Sequence, residues 1–457
     1  MTKLYRLTSA HFQLPLALLS DQTYIFNSAS YIPMLRYPNG TWCHYSNCYM
    51  HSLYRKGLSR NNKGGTLKTY AGNISHLLRF CSDNAIDVAQ MTDSLFILFM
   101  QTLLNDKKSL STTHTLRSTT SILTIGKNCI DLLVYIGKIT GRDEFVGKDG
   151  VIKAEKRKAE IDIGNGRKRI TKYYWHHRSF PEPSPDKKRF PITDAHSNAI
   201  IEAAAGTEDL FLRKRRFVML KLLAHTGCRR SELVSITTHD VYAALHEPTI
   251  GLKLMTAKKR GNSIHHRYLP ISIPDLKFIA SYIEFNRLPK IRSLGVEDDG
   301  MLFISARTGK GLMPNTITQE ISELAGLAGI NERLSPHMYR HRFITQYFIK
   351  LIIQHDFNNS DEFRNLLINT ESFKREVQQW TGHTNINSLD NYIHLAFSDI
   401  SNRKEVVEAA IRSEHLSSLL QTVKMAQAEI KAGFTSSSVN ELLNTISEYL
   451  NELQHSA

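Results

Sequence analysis

Residues 141–192 divide this chain. Lys153, Lys156, Arg157, Lys158, Arg167, Lys168, Arg169, Lys172, Lys187, Lys188 and Arg189 crowd the stretch, and Gly164, Gly166, Pro181, Pro183 and Pro185 break it up. A charge run of this kind is ordinarily a solvated segment, so it reads as a basic linker. Helical periodicity exists before it and after it, and at 457 residues the chain is too long for one ordinary core. Two or more domains follow. If the linker lay along phosphates it would release counterions and make binding salt-sensitive.

Before the linker, residues 1–58 are aromatic-rich and irregular, with Tyr24, Phe26, Tyr31, Tyr37, Trp42, Tyr45, Tyr49 and Tyr54 set among Asn, Ser and Pro. They show no helical period and read as short strands or loops. Residues 59–140 read as a small helical bundle. Leu67, Tyr70, Ile74, Leu77, Leu78 and Cys81 recur at helical spacing until Ser82-Asp83-Asn84, Thr92 caps the next run, and Ser111-Thr112-Thr113 opens a third.

After the linker, a domain over residues 193–400 begins with Thr193 or Asp194 as a helix cap. An apolar helix ends at Gly227, and a new one starts near Arg229. Residues 249–256 and 265–271 read as a β-hairpin whose tip, Ala257-Lys258-Lys259-Arg260-Gly261-Asn262-Ser263, is cationic. Ser335-Pro336 starts a helix, placing His337, Arg340 and His341 on one face. Residues 401–457 are helical again, with a stripe of Val439, Leu442, Leu443, Ile446 and Leu450.

A net charge of +15 points to a polyanionic partner. No apolar run reaches the length of a membrane span, and the first residues lack a signal-peptide pattern. The five cysteines are odd in number and scattered, as free thiols of a reducing cytosol would be. Cys43 and Cys48 with His44 and His51 fit no common zinc spacing, so neither metal nor cofactor is expected.

Cleaving a DNA phosphodiester without a metal needs cations on the non-bridging oxygens, an acid for the leaving 5′-oxygen and a nucleophile. Arginine suits the first task, being planar, always charged and bidentate toward phosphate. The chain offers Arg229 near a helix start, Arg340 and His337 on one helix face, Lys258 on the hairpin tip, and His383 and Tyr392 further on. Each has a plainer use alone: Arg229 as an ion-pair partner of Glu232, Lys258 as one exposed lysine among many, the histidines as core residues.

Together, Thr226-Gly227-Cys228-Arg229-Arg230-Ser231-Glu232-Leu233, then His337-Met338-Tyr339-Arg340-His341, then Gly382-His383 with Tyr392 resemble the tyrosine recombinase, or phage-integrase, family in order and spacing. The resemblance covers roughly residues 190–400. It implies a mainly α, multidomain protein: a helical core-binding domain, and a mostly helical catalytic domain carrying a small antiparallel β-sheet. It implies Arg229 and Arg340 as phosphate-binding arginines, His337 in proton transfer, His383 as a phosphate contact, Tyr392 as nucleophile and Lys258 as general acid. Glu232 would be a support, with His341 and Lys259 beside the site; the adjacency of Lys259 leaves the choice of lysine open.

The implied chemistry is two transesterifications through a 3′-phosphotyrosyl link, independent of metal and ATP, in a site-specific recombinase that integrates or excises a mobile element. The implied partners are double-stranded DNA at specific sites, a homotetramer joined through C-terminal helices, and accessory proteins, in a bacterial or phage-derived, nucleoid-associated cytoplasmic setting without a membrane. The C-terminal stripe could equally pack in cis. The alternatives are a type IB topoisomerase-like activity, or a non-catalytic DNA-binding protein on the same fold.

Overall fold

The computed structural model describes residues 3–106, 117–162, 169–183, 190–256, 265–357, 359–383, 386–402, 413–433, 440 and 443–447. The chain is mainly helical with small sheets, and divides into two compact units. One is built chiefly of Met1–Asp162 and Gly166–Lys187, the other chiefly of Lys188–Lys259 and Ile264–Ala457. Among the described residues no helix is long and apolar enough to cross a membrane.

In the first unit, β1 (Tyr5–Leu7) pairs antiparallel with β4 (Pro33–Leu35), and β2 (Gln13–Leu18) with β3 (Tyr24–Ser28). Then comes α1 (His44–Arg55), a helix where the sequence showed no period. Its buried face is Ser46, Tyr49, Met50 and Leu53, a helical spacing disguised by the polar Ser46, whose hydroxyl accepts from the Cys43 thiol at 3.1 Å. Helices α2 (Asn61–Asp83), α3 (Asp93–Asn105) and α4 (Thr119–Ile139) form the bundle. Leu67, Ile74, Leu77, Leu78 and Cys81 of α2 are fully buried, and Thr92 caps α3 by accepting from Leu95 N. The cap of α4 is Ser118; Ser111-Thr112-Thr113 lie outside the described residues. The basic stretch that follows contains β5 (Val146–Gly147), β6 (Ile152–Asp162) and β7 (Arg169–His177). β6 and β7 pair as an antiparallel ribbon from Ala154↔His177 to Asp162↔Arg169.

The second unit opens with α5 (Asp194–Ala205), capped by Thr193, and α6 (Leu210–Thr226), followed by the short α7 (Arg230–Leu233) and α8 (Thr238–His246). β8 (Leu252–Thr256) and β9 (His265–Leu269) pair antiparallel; the intervening tip, including Lys258 and Lys259, lies outside the described residues. Then come α9 (Ile273–Tyr282), α10 (Leu288–Leu294), α11 (Pro314–Leu327) and α12 (Pro336–Gln354). The chain continues through α13 (Ser360–Asn369), α14 (Glu371–Thr381), α15 (Asp390–Asn402) and α16 (Ser413–Lys431). One apolar core gathers α5, α6, α9 and α11, and a second gathers α12 to α15.

Helix α16 lies on α5 and α6 of the same chain. His225 and Gln421 meet at 2.6 Å, Lys221 Nζ donates to Thr422 at 3.0 Å, and Lys424 to Asn198 at 2.9 Å. Of the C-terminal stripe, Val439, Leu442 and Leu450 lie outside the described residues. The basic run Arg213-Lys214-Arg215-Arg216 on α6 is buried: Arg213 and Lys214 pair with Glu429, and Arg215 and Arg216 with Glu320.

Candidate catalytic site

Helix α6 stops because Gly227 takes a left-handed conformation, φ +52°. A Cβ there would lie 2.4 Å from Phe343 Cδ1 on α12, so only glycine lets the turn press against that helix. The turn delivers Arg229 to the start of α7 and presents the Gly227 carbonyl to Arg340, whose Nη1 donates to it at 2.8 Å. Two motifs far apart in sequence are thereby joined.

Glu232 sits at the centre, fully buried. Its Oε2 accepts from Arg229 N and from Arg267 Nη2, each at 2.9 Å, and its Oε1 from Arg229 Nη1 at 2.6 Å. Burial pushes the carboxyl upward, but Arg267, then Arg229, outweigh it and hold the group below its ordinary range. It is therefore ionised at neutral pH.

The three arginines share a second target, the end of α14. Arg267 Nη1 donates to Trp380 O at 2.6 Å, Arg340 Nη2 donates to Thr381 O, and Arg229 Nη2 donates to Gly382 O at 2.9 Å. The last carbonyls of a helix have no partner within it, and the helix dipole favours cations there. Three guanidinium groups thus cap α14 and fix where Gly382 turns, φ +62°, into His383. Three cations against the single Glu232 carboxylate leave an excess of two positive charges in a largely buried pocket. Arg340 is 1% exposed, and burial, with Arg229 adding, draws it down to about 10. Its Nε has no hydrogen-bond partner among the described residues.

The histidines and the tyrosine form an adjoining cluster. The Tyr392 ring lies 5.0 Å from His341, 5.8 Å from His383 and 6.5 Å, edge-on, from Phe348. His337, which is exposed, meets His341 edge-on at 4.5 Å. Tyr392 is only 4% exposed. His383 is drawn down to about 3, first by burial and then by Arg340 and Arg229, and is neutral at physiological pH. Its Nδ1 is buried without a hydrogen-bond partner among the described residues.

Arg229, Glu232, Arg340 and His383 come together around the end of α14, and His337, His341 and Tyr392 adjoin them; Lys258 and Lys259 are outside the described residues. Sequence reasoning missed Arg267. A signal existed: in β9 it alternates with Leu269 and pairs with buried Leu254, so an arginine stands at an inward position of an amphipathic strand. Among the described residues no three His, Cys, Asp or Glu side chains come together as a metal site would.

Residues 192–352 match the model of the phage integrase family. Among curated proteins, the chain is 27% identical over 206 residues to tyrosine recombinase XerD of Vibrio cholerae, covering 45% of this chain and 57% of that one. It is 25% identical over 214 residues to tyrosine recombinase XerC of Pseudomonas aeruginosa (47% and 58%), and 26% identical over 221 residues to XerC of Azotobacter vinelandii (48% and 61%). The chain thus spans less than two thirds of these relatives' length. Among solved structures, XerH recombinase bound to a palindromic difH substrate is similar at TM-score 0.42 and 15% identity, covering 80% of this chain and 85% of that one. A lambda integrase tetramer bound to a Holliday junction is similar at TM-score 0.40 and 12% identity, covering 74% and 77%.

Proposed function

We propose, on the premise that residues 192–352 make this chain a member of the phage integrase (tyrosine recombinase) family, that it is a site-specific DNA recombinase that breaks and rejoins strands through Tyr392. The observation that carries this is the pocket of Arg229, Arg267 and Arg340 around one carboxylate. It keeps two positive charges uncompensated beside a tyrosine, the electrostatics a phosphodiester in transit requires.

Arg229 and Arg340 hold the non-bridging oxygens of the scissile phosphate, and His383 donates a hydrogen bond to it. Glu232 orients Arg229 and, through Arg267, the end of α14. Tyr392 Oη attacks phosphorus, with His337 taking part in proton transfer and His341 packed against the ring. The bond to the 5′-oxygen breaks, and Lys258, or its neighbour Lys259, gives that oxygen a proton. The 3′-phosphotyrosyl link conserves the phosphodiester energy, so a 5′-hydroxyl of another strand attacks it and releases Tyr392 without ATP or a metal. Duplex DNA bearing specific sites is the substrate, a homotetramer on DNA the acting assembly, and integration or excision of a mobile element in a bacterial or phage setting the biological use.

Tyr392→Phe should bind DNA with wild-type affinity and form no covalent adduct, read by denaturing electrophoresis of a nicked suicide duplex. An adduct persisting in that variant removes Tyr392 as nucleophile. An adduct in the wild type without any strand exchange would instead favour a type IB topoisomerase-like activity.

A further inference from the structure

The β6–β7 ribbon is longer than packing requires. Its root is anchored: Ile152, Ala154 and His177 are buried in the first unit's core. Asp93 ties them down, accepting from Lys153 N at 2.8 Å and Arg178 at 2.7 Å and meeting His177 Nε2 at 2.9 Å. Beyond that root the strands continue as a pair through Asp162↔Arg169. Residues 155–158 and 171–174 are exposed, so both faces of the ribbon meet solvent there. A two-stranded ribbon whose side chains at 155–158 and 171–174 face solvent gains little stability from that stretch, so the extension needs another reason.

The side chains supply one. Residues 152–177 hold eight Lys or Arg against Glu155, Glu160 and Asp162. Cross-strand partners share a face, so Lys156 stands with Trp175 and Lys158 with Tyr173 on one side, and Arg157 with Tyr174 on the other. The aromatic rings support the cations: Lys156 Nζ lies 5.5 Å from the Tyr173 centroid and 6.0 Å from that of Trp175, and Lys127 of α4 lies 4.9 Å from Tyr174. Tyr173 is nevertheless 61% exposed. Cations and partly open aromatic rings on both faces make a poor sheet interior and a good polyanion contact. At about 3.3 Å per residue the nine paired positions extend about 30 Å, close to one turn of duplex, and a two-stranded ribbon is an element that the major groove admits.

We infer that the β6–β7 ribbon is a DNA-holding arm that lies in the major groove of the duplex, its lysines and arginines reaching the flanking phosphates and Tyr173 and Tyr174 lining the contact. This rests on duplex DNA being the substrate, as proposed above, and adds an element that binds it independently of the Arg340 pocket. Its contribution is largely indifferent to sequence, because phosphates carry no sequence information.

The test uses the full-length chain and a mixed-sequence duplex a few helical turns long. The variant K156Q/R157Q/K158Q/K172Q removes four exposed cations, and Y173S/Y174S leaves every charge in place; thermal unfolding checks that both remain folded. Affinity is measured by fluorescence anisotropy across a potassium chloride series, with guanine N7 methylation reading major-groove occupancy. Each neutralised phosphate contributes about 0.9 to the slope of log affinity against log salt, so the charge variant should lose about 2 to 4 from that slope. It should also bind at least ten-fold more weakly and lose a patch of methylation protection. The tyrosine variant should bind more weakly with the slope unchanged. Unchanged slope and affinity in the charge variant overturn the inference, and weakened binding without any change in methylation overturns the groove assignment. Loss of anionic-vesicle binding with DNA affinity intact overturns it in favour of a membrane surface. Covalent trapping at Tyr392 is read in parallel. An adduct with an unchanged slope sinks the arm alone, whereas a changed slope with no adduct on any duplex sinks the recombinase proposal and leaves the arm.

Discussion

Replacing Glu232 with glutamine tests whether the arginine cluster is held together by one buried charge. The substitution keeps shape and removes the charge. Its best placement puts the amide oxygen where Oε2 now accepts from Arg229 N and Arg267 Nη2, which leaves the NH2 facing Arg229 Nη1, donor against donor. Glu232 is fully buried, Arg267 is 5% exposed at its side chain and Arg229 17%. Removing one partner of a buried pair costs about 3–5 kcal/mol, because the remaining charges stay desolvated. Taking about 3 kcal/mol, and a shift of about 2–4 °C per kcal/mol for a domain of this size, the second unit should melt about 6–12 °C lower. The assay is calorimetric unfolding, with Glu323→Gln as control. Glu323 also pairs with an arginine, Arg216, but is 58% exposed, so its loss should cost under about 1 kcal/mol. Because the Glu232 pKa is depressed on folding, its stabilisation is complete above the ordinary carboxylate range and is lost as pH falls through the folded value. The gap between wild type and variant should therefore narrow in acid. If Glu232→Gln melts with Glu323→Gln near neutral pH, the charge does not hold the cluster.

Gly227→Ala should cost about 2–4 kcal/mol, from a left-handed alanine plus overpacking on Phe343, and Gly382→Ala, whose Cβ would meet Arg267 Nε at 3.2 Å, distinctly less; equal losses by urea unfolding would refute the ordering. His383 has its pKa lowered on folding to about 3, so the unfolded chain binds the extra proton and stability falls as pH drops from about 6.5 toward that value. His383→Gln should flatten this dependence by up to about 1.4 kcal/mol per pH unit in denaturant titrations, and an unchanged slope would contradict the assignment. Lys258→Ala should slow cleavage of an ordinary phosphodiester far more than that of a 5′-phosphorothiolate, whose leaving group needs no proton; equal slowing would move the acid to another residue.

Local signals in the sequence were sufficient for much of the second unit's frame. Thr193 as a cap, Gly227 as a terminator, Pro336 at a first helical turn and the alternation of β8 and β9 depend on neighbours within a few residues. The three motifs, too, were legible as ordered spacings; the first two, at 226–233 and 337–341, fall within the family match over residues 192–352, and Gly382-His383 with Tyr392 lies beyond it. Helix α1 escaped notice because its buried face includes a serine, which composition counts as polar.

What only the tertiary structure decided is which charges meet. In sequence Arg213-Lys214-Arg215-Arg216 looks like more of the basic surface, yet Glu320 and Glu429, more than a hundred residues away in the chain, pair with all four inside the fold. Lys153 to Lys158 look the same in sequence but stand on an extended ribbon, with Lys153, Lys156, Arg157 and Lys158 exposed. Arg267 becomes part of the site only because β9 carries it to Glu232 and to the end of α14. The physical reason is range. Caps and periodicity are written in adjacent residues, whereas desolvation and charge pairing depend on what the fold brings within a few ångströms, so a run of arginines specifies its charge and not its surroundings.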